Sequence, residues 1–210
     1  MLALPIHNAT TFVLARPHYP ENVGAAARAI KTMGFSRLAL VRPGRLAVPE
    51  HEMALKMAVK SRDVLADAVR YASLAEAVAS AHHVVATTSR RGMAGVLTLS
   101  DGAVLVEQLT AQGREVVIVF GNEKTGLDPD ELELADNLLR IPMAADQPSI
   151  NLAQAVQLVA YALFARALEM RGAAHGPDTT IRPAASPDQN PVSKAEAVDL
   201  CGEPQGQDAS

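Results

Sequence analysis

Five apolar residues in a row, Val116 to Phe120, stop abruptly at Gly121-Asn122-Glu123. A run this short and this continuous suits a strand buried on both faces, which requires helices over both faces of a parallel sheet. The change to small and polar residues is how such a strand ends where it delivers backbone and functional groups to a sheet edge. A second short strand, Leu138 to Ile141, stops at Pro142. The loop beyond it leads to Ser149, which reads as the N-cap of a long helix opened by Ile150-Asn151-Leu152. Two strand ends and one helix start are expected to converge, with a ligand site at that edge.

The same alternation runs through the rest of the chain. Thr11 to Arg16 reads as a strand, after which Pro17, Pro20 and Asn22 start a helix with Asn22 as its cap. Gly34 after Met33 suits a left-handed C-terminal position. The helix turns Val23, Ala27, Ile30 and Met33 to the core. Small residues Gly24, Ala25 and Ala26 permit close backbone approach, and Arg28 projects off the apolar face beside Lys31 and Thr32. Arg37 to Val41 is the next strand, and strand, helix, strand at this spacing is a βαβ unit with parallel strands.

Glu50 to Ala68 reads as mostly helical and Val69 to Ala72 as a short strand. Ser73 with Glu76 is a capping box for a helix from Leu74 to Ala81, and His83 to Thr88 is another buried strand. It ends in Thr87-Thr88-Ser89, followed by the basic Arg90-Arg91-Gly92. Open α/β sheets place ligands at such carboxyl ends, although an ordinary surface loop has the same composition. A helix near Asp101 to Gln112 leads into the central run, and Asp128, Pro129 and Glu131 mark a further helix start. The fold class is α/β, a mostly parallel sheet flanked by helices.

With 210 residues, 49% of them hydrophobic, one such domain plus a tail is expected. The domain takes residues 1–171. Residues 172–210 shift to Pro, Gly, Ala, Asp and Gln without periodicity and are expected to be mostly disordered, with a short helix from Ser193 to Leu200 as an option. The single cysteine, Cys201, forms no internal disulfide, and the N-terminus has no signal-peptide pattern, so a cytoplasmic location is expected. The longest apolar region, Ile150 to Leu168, is interrupted by Asn151, Gln154, Gln157 and Arg166 and reads as a packed helix, so no membrane role is assigned.

The net charge of -4 resides in the tail, which has six acids and two bases, while the first 171 residues carry 17 charges of each sign. Arg16, Arg28, Lys31, Arg37, Arg42 and Arg45 face only Glu21 and Glu50 within the first 50 residues. That local excess would steer RNA phosphates, and a solvated face would give the same count.

Several chemistries are excluded. No GxGxxG follows a strand and no GxxxxGK[ST] occurs, so neither a dinucleotide fingerprint nor a P-loop is present. His51, His82 and His83 have no metal-ligand spacing with Cys201, so no metal is expected. Ser149 has no His–Asp pair nearby in sequence and reads as a cap, not a nucleophile.

Three stretches together carry a resemblance. Asn22-Val23-Gly24-Ala25-Ala26-Ala27-Arg28, then Phe120-Gly121-Asn122-Glu123-Lys124-Thr125-Gly126-Leu127, then Ile141-Pro142-Met143 with Ser149-Ile150-Asn151-Leu152-Ala153-Gln154-Ala155, resemble the three ordered motifs of the SpoU/TrmH branch of the SPOUT methyltransferases. The likeness covers about residues 10–170. It is strongest to the TrmJ group, whose members methylate ribose 2′-hydroxyls of tRNA in the anticodon loop at nucleotide 32. The resemblance implies a C-terminal trefoil knot, which periodicity does not reveal and which general topology rules disfavour. It also implies S-adenosyl-L-methionine as cofactor, a tRNA or rRNA substrate, and a homodimer formed through the knotted region.

Carried over, the resemblance assigns cofactor binding to Thr87, Thr88, Ser89, Gly121, Ile141, Pro148, Ser149 and Ile150. Asn22, Glu123 and Asn151 would tie the motifs together. Arg28 would be catalytic, a role its chemistry permits: a fixed guanidinium stabilises the alkoxide that develops as a 2′-hydroxyl attacks, but its pKa above 12 makes it a poor base. The homodimer has independent support in the helix from Asn151 to Arg171. Leu152, Val156, Val159, Leu163 and Ala167 form one stripe, and Leu158, Ala162 and Ala165 leave a second face partly apolar. A ribosomal RNA 2′-O-methyltransferase of the same branch and a catalytically silent RNA-binding homologue are the alternatives. Intact Arg28, Glu123, Ser149 and Asn151 disfavour the silent form. TrmJ-type proteins commonly continue into an ordered helical extension, for which residues 172–210 are too acidic and Pro-rich.

Overall fold

The computed structural model describes residues 4–90, 92–145, 147 and 149–175. Its strands are β1 (Thr10–Ala15), β2 (Leu38–Val41), β3 (Val69–Tyr71), β4 (His83–Thr87), β5 (Val96–Thr98), β6 (Val116–Phe120) and β7 (Asn137–Arg140). They form one sheet in the order β3-β2-β1-β6-β4-β7-β5, and every neighbouring pair is parallel. The helices are α1 (Pro5–Ala9), α2 (Pro20–Thr32), α3 (Glu52–Ala58), α4 (Arg62–Ala66), α5 (Leu74–Val78), α6 (Leu99–Ala111), α7 (Pro129–Leu132) and α8 (Leu152–His175).

Successive strand residues serve opposite faces, so each central strand contributes to two cores. Phe12, Leu14, Ile118 and Phe120 face α2, α6 and α8, with the Phe12 ring 5.1 Å from Phe35 and 6.2 Å from Phe120. Val13, Ala15, Val117 and Val119 face the other way, toward Leu74, Ala77 and Leu132. On α8 the stripe Leu152, Val156, Val159, Leu163 and Ala167 is buried, while Leu158, Tyr161 and Leu168 remain 39%, 59% and 38% exposed. No helix among the described residues is long and apolar enough to cross a membrane.

Several local expectations are corrected. The N-cap of α2 is Tyr19, because Pro20 occupies the first helical turn, where its fixed φ fits and its missing N–H costs nothing. Asn22 therefore lies inside that turn with its side chain free for distant partners. Gly34 does take the left-handed C-terminal position, at φ 90°. The helical segment expected from Glu50 to Ala68 is broken into α3 and α4 at Val59, φ 52°. The break follows from packing: α3 lies so close under α2 that a Cβ on Gly24 would stand 2.0 Å from the Ala54 carbonyl oxygen. The chain must then turn to bury Val64 and Leu65.

β7 ends at Arg140, so Ile141 opens the loop, and β5 is a strand of three residues beside α6 that periodicity does not reveal. The cap of α8 is Asn151 instead of Ser149, its Oδ1 accepting the Ala153 and Gln154 N–H groups at 3.0 and 3.2 Å. α8 continues past Arg171 to His175. The rest of the expected tail, including Cys201 and the segment from Ser193 to Leu200, lies outside the described residues, as does Pro148.

Candidate functional site

Loops leaving the carboxyl ends of β4, β6 and β7 meet at one edge of the sheet. The β6 loop doubles back on itself. Asn122 and Gly126 exchange backbone hydrogen bonds at 3.1 and 2.9 Å, and Asn122 Oδ1 accepts the N–H groups of Lys124 and Thr125. Gly121 has no room for a side chain, since a Cβ would lie 2.4 Å from the Gly126 carbonyl carbon and 2.5 Å from the Leu127 nitrogen. The Arg16 carbonyl accepts Asn122 Nδ2 at 2.5 Å, and its guanidinium donates to the Gly126 carbonyl at 3.1 Å, so the residue that follows β1 holds both ends of this loop. Buried Glu131 (2.7 Å) and Asp128 (3.0 Å) fix that guanidinium in turn.

A second network joins three segments. The Glu123 carboxylate accepts the His18 N–H at 2.9 Å, the Tyr19 N–H at 3.3 Å and Asn22 Nδ2 at 2.8 Å. Asn22 Oδ1 accepts Asn151 Nδ2 at 2.9 Å, and Asn151 caps α8. Asn22, Glu123 and Asn151 are thus connected in series from the start of α2 to the start of α8.

Between these loops lies a cleft of about 240 Å³. Thr87, Thr88, Ser89, Gly121, Ile141, Ser149 and Ile150 all line it. Thr87 Oγ1 is committed to the Val119 carbonyl and the Thr88 N–H to that of Leu139, so their backbones are held in place. Leu127, Leu132 and Met143 also line the cleft, and the sequence assigns none of them a site role. An apolar residue inside a polar loop, as at Leu127 and Met143, was the available signal. Arg28 does not line the cleft. It is exposed on α2, where its carbonyl accepts Thr32 Oγ1 at 2.7 Å, and its guanidinium has no acidic partner among the described residues.

The cationic surface is smaller than the local sequence suggests. Arg16 and Arg42 both face Glu131, Arg37 pairs with Glu115, and Lys31 pairs with Asp63 at 2.6 Å. The Lys31 ammonium holds the Asp63 carboxyl below its ordinary range. Of the six early cations, Arg28 and Arg45 have no acidic partner among the described residues. The three central histidines serve local structure. His51 Nδ1 caps α3, His82 Nδ1 accepts the Glu115 N–H, and His83 Nε2 bonds Asn137. Among the described residues no three His, Cys, Asp or Glu side chains cluster as metal ligands would.

An apolar cleft with a glycine turn, backbone amides and hydroxyls can take a nucleoside with a polar arm, and the comparisons with known proteins agree with that geometry. The model of the SpoU rRNA Methylase family matches residues 9–161. The uncharacterized tRNA/rRNA methyltransferase LasT of Escherichia coli K12 is 39% identical over 73% of this chain and 67% of its own length. The tRNA (cytidine/uridine-2′-O-)-methyltransferase TrmJ of Pectobacterium atrosepticum is 35% identical over 71% and 61%. The chain therefore spans only about three-fifths to two-thirds of these relatives. Among solved structures, a probable methyltransferase from Bordetella pertussis Tohama I superposes with a TM-score of 0.73 at 34% identity, covering 78% of this chain and 98% of the other. An AdoMet-bound rRNA methyltransferase from Sinorhizobium meliloti gives 0.59 at 26%, covering 77% and 57%. By its fold, its ordered motifs and these matches, the chain belongs to the SpoU rRNA methylase family.

Proposed function

We propose that the protein transfers a methyl group from S-adenosyl-L-methionine to a ribose 2′-hydroxyl of tRNA, in the anticodon loop. The observation that carries the reading is the convergence of the β4, β6 and β7 loops on one cleft, held by the Glu123-Asn22-Asn151 series, in a chain of this family. Ile141, Ile150 and Leu127 would hold the purine, and the amides and hydroxyls of residues 87–89 and 121–126 the polar arm. When bound, the cofactor supplies an electrophilic methyl on a sulfonium. The transfer breaks the sulfur–methyl bond and forms an oxygen–methyl bond, and the hydroxyl proton leaves to an RNA phosphate or water.

Arg28 stabilises the developing alkoxide in this reading. Because it does not line the cleft of its own chain, it acts at the cleft of a second copy. The support is that α8, with its exposed apolar stripe, packs directly against α2, the helix that carries Arg28. The homodimer, a trefoil knot formed by the segment through β7 and α8, and a cytoplasmic site of action belong to the same proposal. So does a domain of residues 1–171 followed by an acidic, Pro- and Gly-rich tail. Mapping 2′-O-methyl groups on total tRNA and rRNA from a deletion strain tests it. A missing methyl in the tRNA anticodon loop is expected, and one missing from rRNA instead would assign the ribosomal substrate.

A further inference from the structure

At the mouth of the cleft the chain between β1 and α2 presents two rings to solvent on a fixed backbone. The N–H groups of His18 and Tyr19 are both bonded to the Glu123 carboxylate, so the backbone of this segment is fastened to the cleft wall while both residues remain exposed. Tyr19 is 44% exposed although its neighbours Pro17 and Pro20 are buried. It is the N-cap residue of α2, but its side chain makes no capping bond, so the helix does not account for a tyrosine here. The His18 ring stands at 89° to it with centroids 4.7 Å apart. Lys124, on the cleft-lining β6 loop, holds its ammonium 5.6 Å from the Tyr19 centroid and 3.1 Å from His18 Nε2.

Two features separate this group from the rest of the basic surface. Lys124 has no acidic partner among the described residues, whereas Arg16 and Arg42 are committed to Glu131. The loop after β2 also abuts it, the Gly44 N–H donating to the Pro17 carbonyl at 2.8 Å, and the next residue, Arg45, is exposed and has no acidic partner among the described residues. An exposed aromatic ring flanked by unneutralised cations fits an unpaired base with its phosphates, since every base has a face to stack and every nucleotide a charge to pair.

We propose that Tyr19, with His18 and Lys124, is a docking platform for an unpaired nucleotide of the RNA, the base stacking on Tyr19 and an adjoining phosphate pairing with Lys124. The proposal rests on the methyltransferase reading and deepens it: the platform shares a wall with the cofactor cleft, so a nucleotide held there sets the position of its neighbour. Tyr19 is then a residue for RNA binding and positioning, without a role in the chemical step.

The test compares the wild type with Tyr19→Ala, Tyr19→Phe and Lys124→Ala. The measurements are binding of labelled unfractionated tRNA at several salt concentrations, cofactor calorimetry, single-turnover rates and sedimentation. Tyr19→Ala is expected to weaken tRNA binding and raise KM for tRNA by roughly 5- to 100-fold. Its cofactor affinity and its rate at saturating tRNA stay near wild type, and Tyr19→Phe restores binding. Lys124→Ala is expected to lower the slope of log affinity against log salt by about one. Tyr19→Ala binding tRNA within twofold of wild type overturns the platform. So does a Tyr19→Ala protein that loses self-association or cofactor binding in step with tRNA binding, which would assign the ring to a subunit contact or to the cleft wall. A wild-type protein that binds tRNA through Tyr19 without methylating it overturns the enzymatic reading alone, and one that binds no tRNA overturns both.

Discussion

Asn22 and Asn151, 129 residues apart in the chain, meet in one hydrogen bond, Asn151 Nδ2 donating to Asn22 Oδ1 at 2.9 Å. Neither amide can be turned over. Asn22 Nδ2 is needed by Glu123, and Asn151 Oδ1 receives the first N–H groups of α8. The start of α8 is thereby indexed to the loop after β6.

Asn22→Ala leaves Glu123 and Asn151 without this partner, and about 1–3 kcal/mol of stability is expected to be lost in urea unfolding. Asn22→Asp is expected to cost more at neutral pH, because it sets a second carboxylate at hydrogen-bond distance from Glu123. The excess should shrink as acid protonates the pair.

Gly121→Ala drives a methyl group into the Gly126 and Leu127 backbone, which cannot yield as a side chain would. Overpacking of this kind costs about 1–3 kcal/mol. Calorimetry is expected to show loss of S-adenosyl-L-methionine binding in a protein that still unfolds cooperatively.

Arg28→Ala is expected to reduce single-turnover methyl transfer by roughly a hundredfold or more while cofactor binding persists. Arg28→Lys should rescue only part, since a point charge cannot reproduce the planar fork. If Arg28 serves the opposite subunit, mixing Arg28→Ala with Gly121→Ala in equal amounts should restore about a quarter of wild-type turnover, because half the dimers then hold one complete site. Two inactive proteins that stay inactive when mixed and exchanged would place Arg28 elsewhere.

Leu158→Glu combined with Tyr161→Glu puts charge on the exposed stripe of α8 and leaves its buried stripe intact. Sedimentation is expected to show a dimer for wild type and a monomer for the variant, with the circular dichroism unchanged.

Asp63 offers a pH test. Its carboxyl titrates below 3.8 because Lys31 bonds the ionised form, so the pair stabilises the fold above that value and stops doing so as pH falls through the lowered pKa. The stability difference between wild type and Asp63→Asn should be present at neutral pH, small because both partners are surface groups, and absent at strongly acidic pH.

Strands β1, β2, β4 and β6 are legible in sequence because burial on both faces writes them as unbroken apolar runs. β5 is three residues long and held by β7 alone, and nothing local distinguishes it from a loop. Both misplaced helix caps have one cause. Asn22 and Ser149 are good caps by type, but Pro20 starts α2 one residue after Tyr19 and Asn151 caps α8, and the Asn22 and Asn151 amides answer to partners more than 100 residues away. The cleft-lining strand ends could be read from composition breaks. The Arg16–Glu131 pair, 115 residues apart, could not, nor could the neutralisation of Arg37 by Glu115. That Arg28 stands away from the cleft of its own chain depends on the direction of a helix in space, which residue order does not express.

The strand order carries a consequence for how the chain is made. β1, β2 and β3 lie side by side, so they can pair as soon as they leave the ribosome. β4 and β5 cannot: β6 lies between β4 and β1, and β7 lies between β4 and β5, and each of these insertions comes later in the chain. During synthesis, which proceeds at roughly 5–20 residues per second, both early strands wait without a neighbour, their unpaired edges open to other chains. The half of the sheet that builds the cleft is therefore the last to assemble, and a nascent chain halted before Asn137 should be captured by chaperones while one halted after α8 should not.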